Sequence, residues 1–259
     1  MQKKPRLGQN FLVDANACQR VVAALGNIAQ DSVLEIGPGR GAITRLLAPA
    51  AGNLSLIEFD PTLAAALAAG FATKSSVEVR HADILTFDLT ALAREQGRKL
   101  VVVGNLPYYI TSDILLHLIA HHAAIDRAVL MVQREVAERL FASPRTKDYG
   151  AVSVLVQLAA ERTGRHPVSR EVFRPRPNVD SALVAFRRKE LPADFPRVKQ
   201  VVTAAFAHRR KTLPNSLAFA GVAPREQAAT ALAAIGYPAE TRAEALEPGE
   251  LVALTEALR

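Results

Sequence analysis

Short β-branched apolar runs recur through the first part of the chain, at residues 32–36, 54–58, 77–81, 100–104 and 128–133. Between them lie segments with helical spacing of apolar positions, at 41–49, 61–70, 112–121 and 134–141. Strands that alternate with helices predict a mostly parallel sheet with helices on both faces, an α/β fold. Ligands of such sheets bind outside the carboxyl ends of the strands, near the point where strand order reverses. At the amino end, Gly8 to Leu12 reads as a polar loop ahead of a helix, with Asp14 as its N-cap.

The pattern changes after about residue 160. Residues 165–169 and 182–188 read as edge strands or a hairpin around a proline-rich loop, Phe173-Arg174-Pro175-Arg176-Pro177. A linker follows at 191–196. Beyond it the spacing is helical, at 198–206, 214–220, 225–235 and 248–258. We therefore expect two domains, residues 1–190 carrying the sheet and residues 191–259 forming a small all-helical domain. No internal repeat is present.

Composition narrows the function classes. Hydrophobic residues make up 49% of 259, but aromatics only 5%, and Trp is absent. The core must be aliphatic, so each aromatic side chain is informative. Cys18 is the one cysteine, which excludes an internal disulfide and fits a reducing cytoplasm. No apolar run approaches the ~18 residues of a membrane span, and no apolar stretch backs the basic amino end as a secretory signal would. We expect a cytoplasmic protein without a metal site.

Charge is concentrated. The chain has 32 Lys and Arg against 25 Asp and Glu, a net of +7. Between Arg162 and Ser216 there are 13 basic residues and four acids, a net of +9, so the remainder is slightly acidic. A charge run is most often a solvated face. Here an aromatic, Phe173, sits among arginines, and Arg209-Arg210-Lys211 follows a helical segment. Arg174, Arg176, Arg209, Arg210 and Lys211 are accordingly the residues expected on a nucleic-acid-facing surface.

The candidate chemistry begins where the first strand ends. Glu35-Ile36-Gly37-Pro38-Gly39-Arg40-Gly41 is a glycine-rich strand-to-helix turn. Such a turn lets backbone approach a ligand, although by itself it is also an ordinary tight turn. Glu58 ends the next strand, 21 residues after Gly37. A carboxylate there can accept from both hydroxyls of a ribose, at ~1.5–3 kcal/mol per charge-assisted bond. After the third strand, Asp83 can accept from an adenine amino group while Ile84 packs on the ring. These pieces indicate an adenosine-containing cofactor. The spacing Gly-x-Gly-x-Gly, rather than Gly-x-Gly-x-x-Gly, favours S-adenosylmethionine over a dinucleotide with a pyrophosphate to cradle.

Asn105-Leu106-Pro107-Tyr108 follows the fourth strand. An adenine N6 amine is a poor nucleophile because its lone pair is delocalised into the ring. Methylating it requires acceptors for its two hydrogens. The Asn105 side-chain oxygen is one acceptor. The Leu106 carbonyl is the other, beside a proline that cannot donate. Tyr108 offers a face to the base, with stacking at ~1–3 kcal/mol, the alternative being a strand-ending turn with a buried Tyr. Phe173 offers a second face for an extruded base, the alternative being a staple of its own loop.

These residues carry a resemblance. Together with Leu7-Gly8-Gln9-Asn10-Phe11-Leu12, the stretch from Phe173 to Ser181, and Phe206-Ala207-His208-Arg209-Arg210-Lys211-Thr212-Leu213, they make the chain resemble the ribosomal RNA adenine N6,N6-dimethyltransferases of the bacterial small subunit, the kasugamycin-sensitivity dimethyladenosine transferase family, along nearly its whole length. Erythromycin-resistance methyltransferases are relatives of that family. The resemblance implies a Rossmann-like class I methyltransferase domain with a small helical domain behind it. It implies cofactor contacts by Asn10, Leu12, Gly37, Glu58, Asp83 and Asn105, to which the glycine turn adds Gly39 and the ring-packing position after the third strand adds Ile84. It implies that Asn105, Leu106, Tyr108 and Phe173 hold the target adenine. The implied substrate is a pair of adjacent adenosines in a 3′-terminal hairpin of 16S ribosomal RNA, each dimethylated on an assembling small subunit, and we expect the protein to be a monomer. Tyr109, Arg40 and Pro214 depart from the family's usual residues.

Three other functions share parts of this pattern. An adenine N6-methyltransferase of DNA or large-subunit RNA would keep the whole constellation. A noncatalytic assembly factor would keep the fold, but the presence of Glu58, Asn105 and Tyr108 argues against it. An NAD-dependent oxidoreductase is disfavoured by the turn spacing.

Overall fold

The computed structural model describes residues 10–259. Leu7, Gly8 and Gln9 of the amino-terminal motif, and the basic stretch ahead of them, lie outside the described residues. Of the described residues, 10–137 with 161–188 form one compact unit and 138–160 with 189–259 form another.

The first unit opens with a short strand, β1 (Phe11–Leu12), and helix α1 (Ala15–Leu25). Asp14 caps α1, its carboxylate accepting from the amide of Ala17 at 2.7 Å, which satisfies one of the unpaired donors of the first turn. Then come β2 (Ser32–Ile36), α2 (Thr44–Leu47), β3 (Asn53–Glu58), α3 (Pro61–Gly70), β4 (Val77–His81), α4 (Leu89–Glu95), β5 (Leu100–Asn105), α5 (Thr111–Ala120), β6 (Ile125–Gln133) and α6 (Arg134–Leu140). Asp60 and Asp88 cap α3 and α4, each accepting from two backbone amides. The helix expected over 41–49 is only the four residues of α2, because the glycine turn holds Gly41 at φ +75° and delays the helical path.

After α7 (Ala151–Ala159) the chain returns through β7 (Ala160–Val168), the two-residue β8 (Phe173–Arg174) and β9 (Ser181–Arg188). The main sheet has seven strands in the order β4-β3-β2-β5-β6-β9-β7. Its pairs from β4 to β6 are parallel, and β9 runs antiparallel to β6. Strand β2 is buried at every position and β5 at all but its last, as near-continuous apolar runs in a doubly covered parallel sheet require. Strand order reverses between β2 and β5. Separately, β1 pairs antiparallel with β8, Leu12 opposite Phe173.

The second unit holds α7, α8 (Phe195–Phe206), α9 (Leu213–Phe219), α10 (Arg225–Ala234) and α11 (Pro248–Ala257). Helix α8 packs on α7, α9 and α11. Tyr149, fully buried, ties the loop before α7 to this bundle. Its hydroxyl donates to the Leu246 carbonyl at 2.8 Å and its ring meets Phe206 edge to face.

Candidate functional site

The carboxyl ends of β2, β3, β4 and β5 surround a cavity of about 280 Å³. Its lining includes Asn10, Leu12, Gly37, Gly39, Glu58, Asp83, Ile84, Asn105, Leu106 and Tyr108. Every expected cofactor residue is thus on one wall system, at the reversal of strand order where open α/β sheets bind ligands.

The glycine turn forms the floor. Gly37, Gly39 and Gly41 have φ of +63°, +59° and +75°. Gly39 has a second constraint, since a Cβ there would come 3.0 Å from the ring of Phe11. The guanidinium of Arg40 also lies over this ring, 4.6 Å from the Phe11 ring centroid, a cation–π arrangement. Strand β5 approaches β2 closely beside the turn. A Cβ on Gly104 would sit 2.7 Å from the Ile36 carbonyl oxygen, so only glycine permits this pairing.

Glu58 is 3% exposed and its two oxygens are held separately. One accepts from the Gly39 amide and the other from the Asp60 amide, both at 2.9 Å. Asp83 accepts from the Leu85 amide at 2.9 Å. Glu35, 1% exposed, also lines the cavity. Burial pushes its carboxyl up to about 7, against the hydrogen bond donated by the Thr44 hydroxyl at 2.7 Å and with the added repulsion of Glu58.

On the β5 side, Asn105 donates from Nδ2 to the Asn10 carbonyl at 2.9 Å. This bond engages the donor end of the amide and leaves Oδ1 as an acceptor. The Leu106 amide donates to the Met131 carbonyl at 3.0 Å, which anchors the tetrapeptide to β6. The Tyr108 hydroxyl bonds Ser181 Oγ at 2.8 Å, and burial raises its pKa. Thr111 donates to the Pro107 carbonyl at 2.9 Å and so braces the turn against α5.

One expectation is corrected. Phe173 does not line the cavity. It is fully buried in the apolar core with Leu12, Val21, Val168 and Leu183. Its neighbour Arg174 points outward by the alternation of β8, which explains why an aromatic among arginines looks like a surface residue in the sequence. The rim instead carries Phe59 (56% exposed) and Tyr109 (61% exposed), neither of them among the site residues expected from the sequence. Glu35 and Phe11 were likewise given no role. Phe59 had a signal, because it follows Glu58 directly at a strand end. The position of Phe11 depends on the β1–β8 pairing, which no local pattern announces.

Among the candidate RNA-binding residues, Arg174 and Arg176 are exposed in the first unit, with Arg176 paired to Glu171 at 2.8 Å. In the second unit Arg209 donates to the carbonyls of Lys147 and Tyr149, whereas Arg210 and Lys211 are exposed.

A glycine turn under β2, a carboxylate ending β3 and an Asn-Leu-Pro-Tyr turn ending β5 define a class I methyltransferase. A crystal structure of a dimethyladenosine transferase from Plasmodium falciparum shares this fold, with a TM-score of 0.77, 24% identity, and coverage of 94% of this chain and 95% of that one. The chain belongs to the ribosomal RNA adenine dimethylase family, whose model matches residues 1–256. It is 48% identical to the Ribosomal RNA small subunit methyltransferase A of Acidobacterium capsulatum, covering 98% of this chain and 91% of that protein. It is also similar to the crystal structure of the 23S rRNA methyltransferase ErmE, at 29% identity and a TM-score of 0.68, covering 96% and 99%.

Proposed function

We propose that this chain transfers methyl groups from S-adenosylmethionine to N6 of two adjacent adenosines in a 3′-terminal hairpin of 16S ribosomal RNA, acting as a cytoplasmic monomer on the small subunit. The observation that carries the reading is the convergence of Glu58 and Asn105 on one cavity.

The cavity residues fit the cofactor. The floor at Gly39 is a cradle that a Cβ would fill, and two buried carboxyls, Glu35 and Glu58, favour a cationic ligand. Glu58, oriented by the Gly39 and Asp60 amides, accepts from the ribose hydroxyls. Asp83 accepts from the cofactor's adenine amine, with Ile84 and Phe59 at its ring. When bound, the sulfonium supplies a methyl group already activated for transfer. No strong base is then needed at the target nitrogen.

The remaining work is orientation. In the first transfer Asn105 Oδ1 accepts one hydrogen of N6 and the Leu106 carbonyl accepts the other, which localises the lone pair and directs it. In the second only one hydrogen remains to be accepted, and each transfer releases one proton from N6 to solvent. Tyr108 supports the base by its face, held in place through Ser181. Near-attack positioning of this kind supplies ~7–11 kcal/mol of a barrier.

The test is nucleoside mass spectrometry after incubation with labelled S-adenosylmethionine and unmodified small subunits, with large subunits and DNA as parallel substrates. N6,N6-dimethyladenosine in small-subunit RNA is expected with the parent, and a large loss with Asn105→Ala. Label on cytosine or on protein would refute the reading.

A further inference from the structure

Among the described residues, five large apolar side chains stand in solvent: Val13, Phe59, Tyr109, Val179 and Phe219. Three are aromatic, in a chain where aromatics are only 5%. Phe59 and Tyr109 line the cavity of the first unit. Phe219 belongs to the second unit and is the most exposed of the five, at 68%.

A single exposed apolar residue is ordinary. The surroundings of Phe219 are not. It closes α9, and the turn between α8 and α9 brings two nitrogen-bearing side chains to its ring. The His208 imidazole meets it edge to face at 4.4 Å, and the Lys211 ammonium lies over it, 5.3 Å from the centroid. The turn that carries both is closed by a 2.9 Å bond from the Lys211 amide to the His208 carbonyl. Arg209 of the same turn is fixed by the carbonyls of Lys147 and Tyr149 at 2.9 and 3.3 Å and is paired with Glu244 at 3.7 Å, so the uncompensated charge is that of the two residues after it. Arg210 and Lys211 are exposed and form no ion pair among the described residues. The ring therefore keeps open surface beside unneutralised positive charge.

That pairing matches one kind of ligand. Every nucleobase has a π-face that stacks on an aromatic ring, and the phosphates on either side of it need cations. A duplex hides its base faces, so the base must be unpaired. We infer that Phe219, framed by His208 and Lys211, is a stacking platform for an unpaired base of an RNA strand, built from residues none of which line the cavity. The inference rests on the proposed function for the choice of RNA over other anions.

The test is fluorescence anisotropy with the full chain. The probe is a labelled single-stranded dodecamer of cytidine and uridine, which lacks the adenine that the cavity would take. An abasic strand of equal length and a matching duplex are the comparison probes. The parent should prefer the single strand over both. Phe219→Ala should weaken single-strand binding roughly 5- to 150-fold, the equivalent of one stacked base at ~1–3 kcal/mol. Phe219→Trp should retain it and Phe219→Leu should not.

Unchanged binding by Phe219→Ala, rescue by Phe219→Leu, or an equal loss on the abasic strand would each overturn the inference. So would a loss on small subunits with none on the dodecamer, which would point to a ribosomal protein as the partner. Methyl transfer by the parent is measured alongside. Transfer with a silent Phe219 rejects the platform and keeps the proposed function, whereas a Phe219-dependent dodecamer without transfer does the reverse.

Discussion

The side-chain amide of Asn105 donates to the backbone carbonyl of Asn10 at 2.9 Å, joining residues 95 positions apart. The bond ties the amino-terminal segment to the turn that receives the target amine, and it sets which end of the amide is the acceptor. Asn105→Asp keeps the size of the side chain but turns the donor into a second acceptor facing a carbonyl. Repulsion should rotate the group and release Asn10. We expect methyl transfer to small subunits to fall about 10²-fold, the scale of a misplaced reacting group, with little change in melting temperature. An aspartate variant within threefold of the parent would remove Asn105 from its positioning role.

Gly39 carries both a left-handed backbone and the ring of Phe11. Gly39→Ala meets ~1–2 kcal/mol of left-handed strain and displaces the ring. Gly97 has a similar φ of +67°, with open space around its Cβ position, and does not line the cavity. Both alanine variants should lose stability. Only Gly39→Ala should weaken binding of S-adenosylhomocysteine, by roughly tenfold, where about 1.4 kcal/mol is a factor of ten. Calorimetric titration of the two variants separates loss of the cradle from general strain.

Tyr108 is expected to act through its ring, with its hydroxyl serving only to hold it. The Oγ of Ser181, a residue 1% exposed, is the partner of that hydroxyl at 2.8 Å. Tyr108→Phe leaves the serine without it, at a cost of about 1–3 kcal/mol in stability, while the face for the base remains. Activity should stay within about tenfold of the parent. Tyr108→Ala removes the face and should lower kcat/KM for the RNA roughly 5- to 150-fold, the range of one stacked base. Equal activity losses in the two variants would mean that the hydroxyl has a chemical part.

What could be read in advance follows from how local each signal is. Strands β2, β3 and β5 are apolar runs closed by Gly37, Glu58 and Asn105, so the residues that meet in the cavity sit at strand ends visible in the chain. Helix α3 shows its cap and proline at Asp60 and Pro61. By contrast, Phe173 is buried by a two-residue pairing with β1, more than 150 positions away in the chain, and nothing local separates it from its exposed arginine neighbours. No element was expected at α4, or at α7, where β-branched and straight-chain apolar residues mix and blur the period. The grouping of residues 138–160 with the helical unit depends on contacts such as that from Tyr149 to Leu246, 97 positions apart.

Glu35 lies under the cavity with a carboxyl pushed up to about 7 by burial, from an ordinary value of 4.5. Between those values the folded chain keeps a proton that the unfolded chain releases. The stabilisation is therefore complete below about pH 4.5 and is lost as pH rises through about 7. The difference corresponds to about 3 kcal/mol. Glu35→Gln cannot ionise, so it should match the parent near pH 5 and exceed it near pH 8 by up to that amount, as read by urea denaturation across the range. Ligand binding should show the same group with the opposite preference. A cationic ligand in the cavity favours the ionised carboxyl, so binding expels a proton. Affinity of the parent for S-adenosylmethionine should then tighten from pH 6 to pH 8, and Glu35→Gln should lose that slope. If parent and variant share one pH dependence in both measurements, Glu35 is ionised throughout and the cavity floor is more hydrated than its burial indicates.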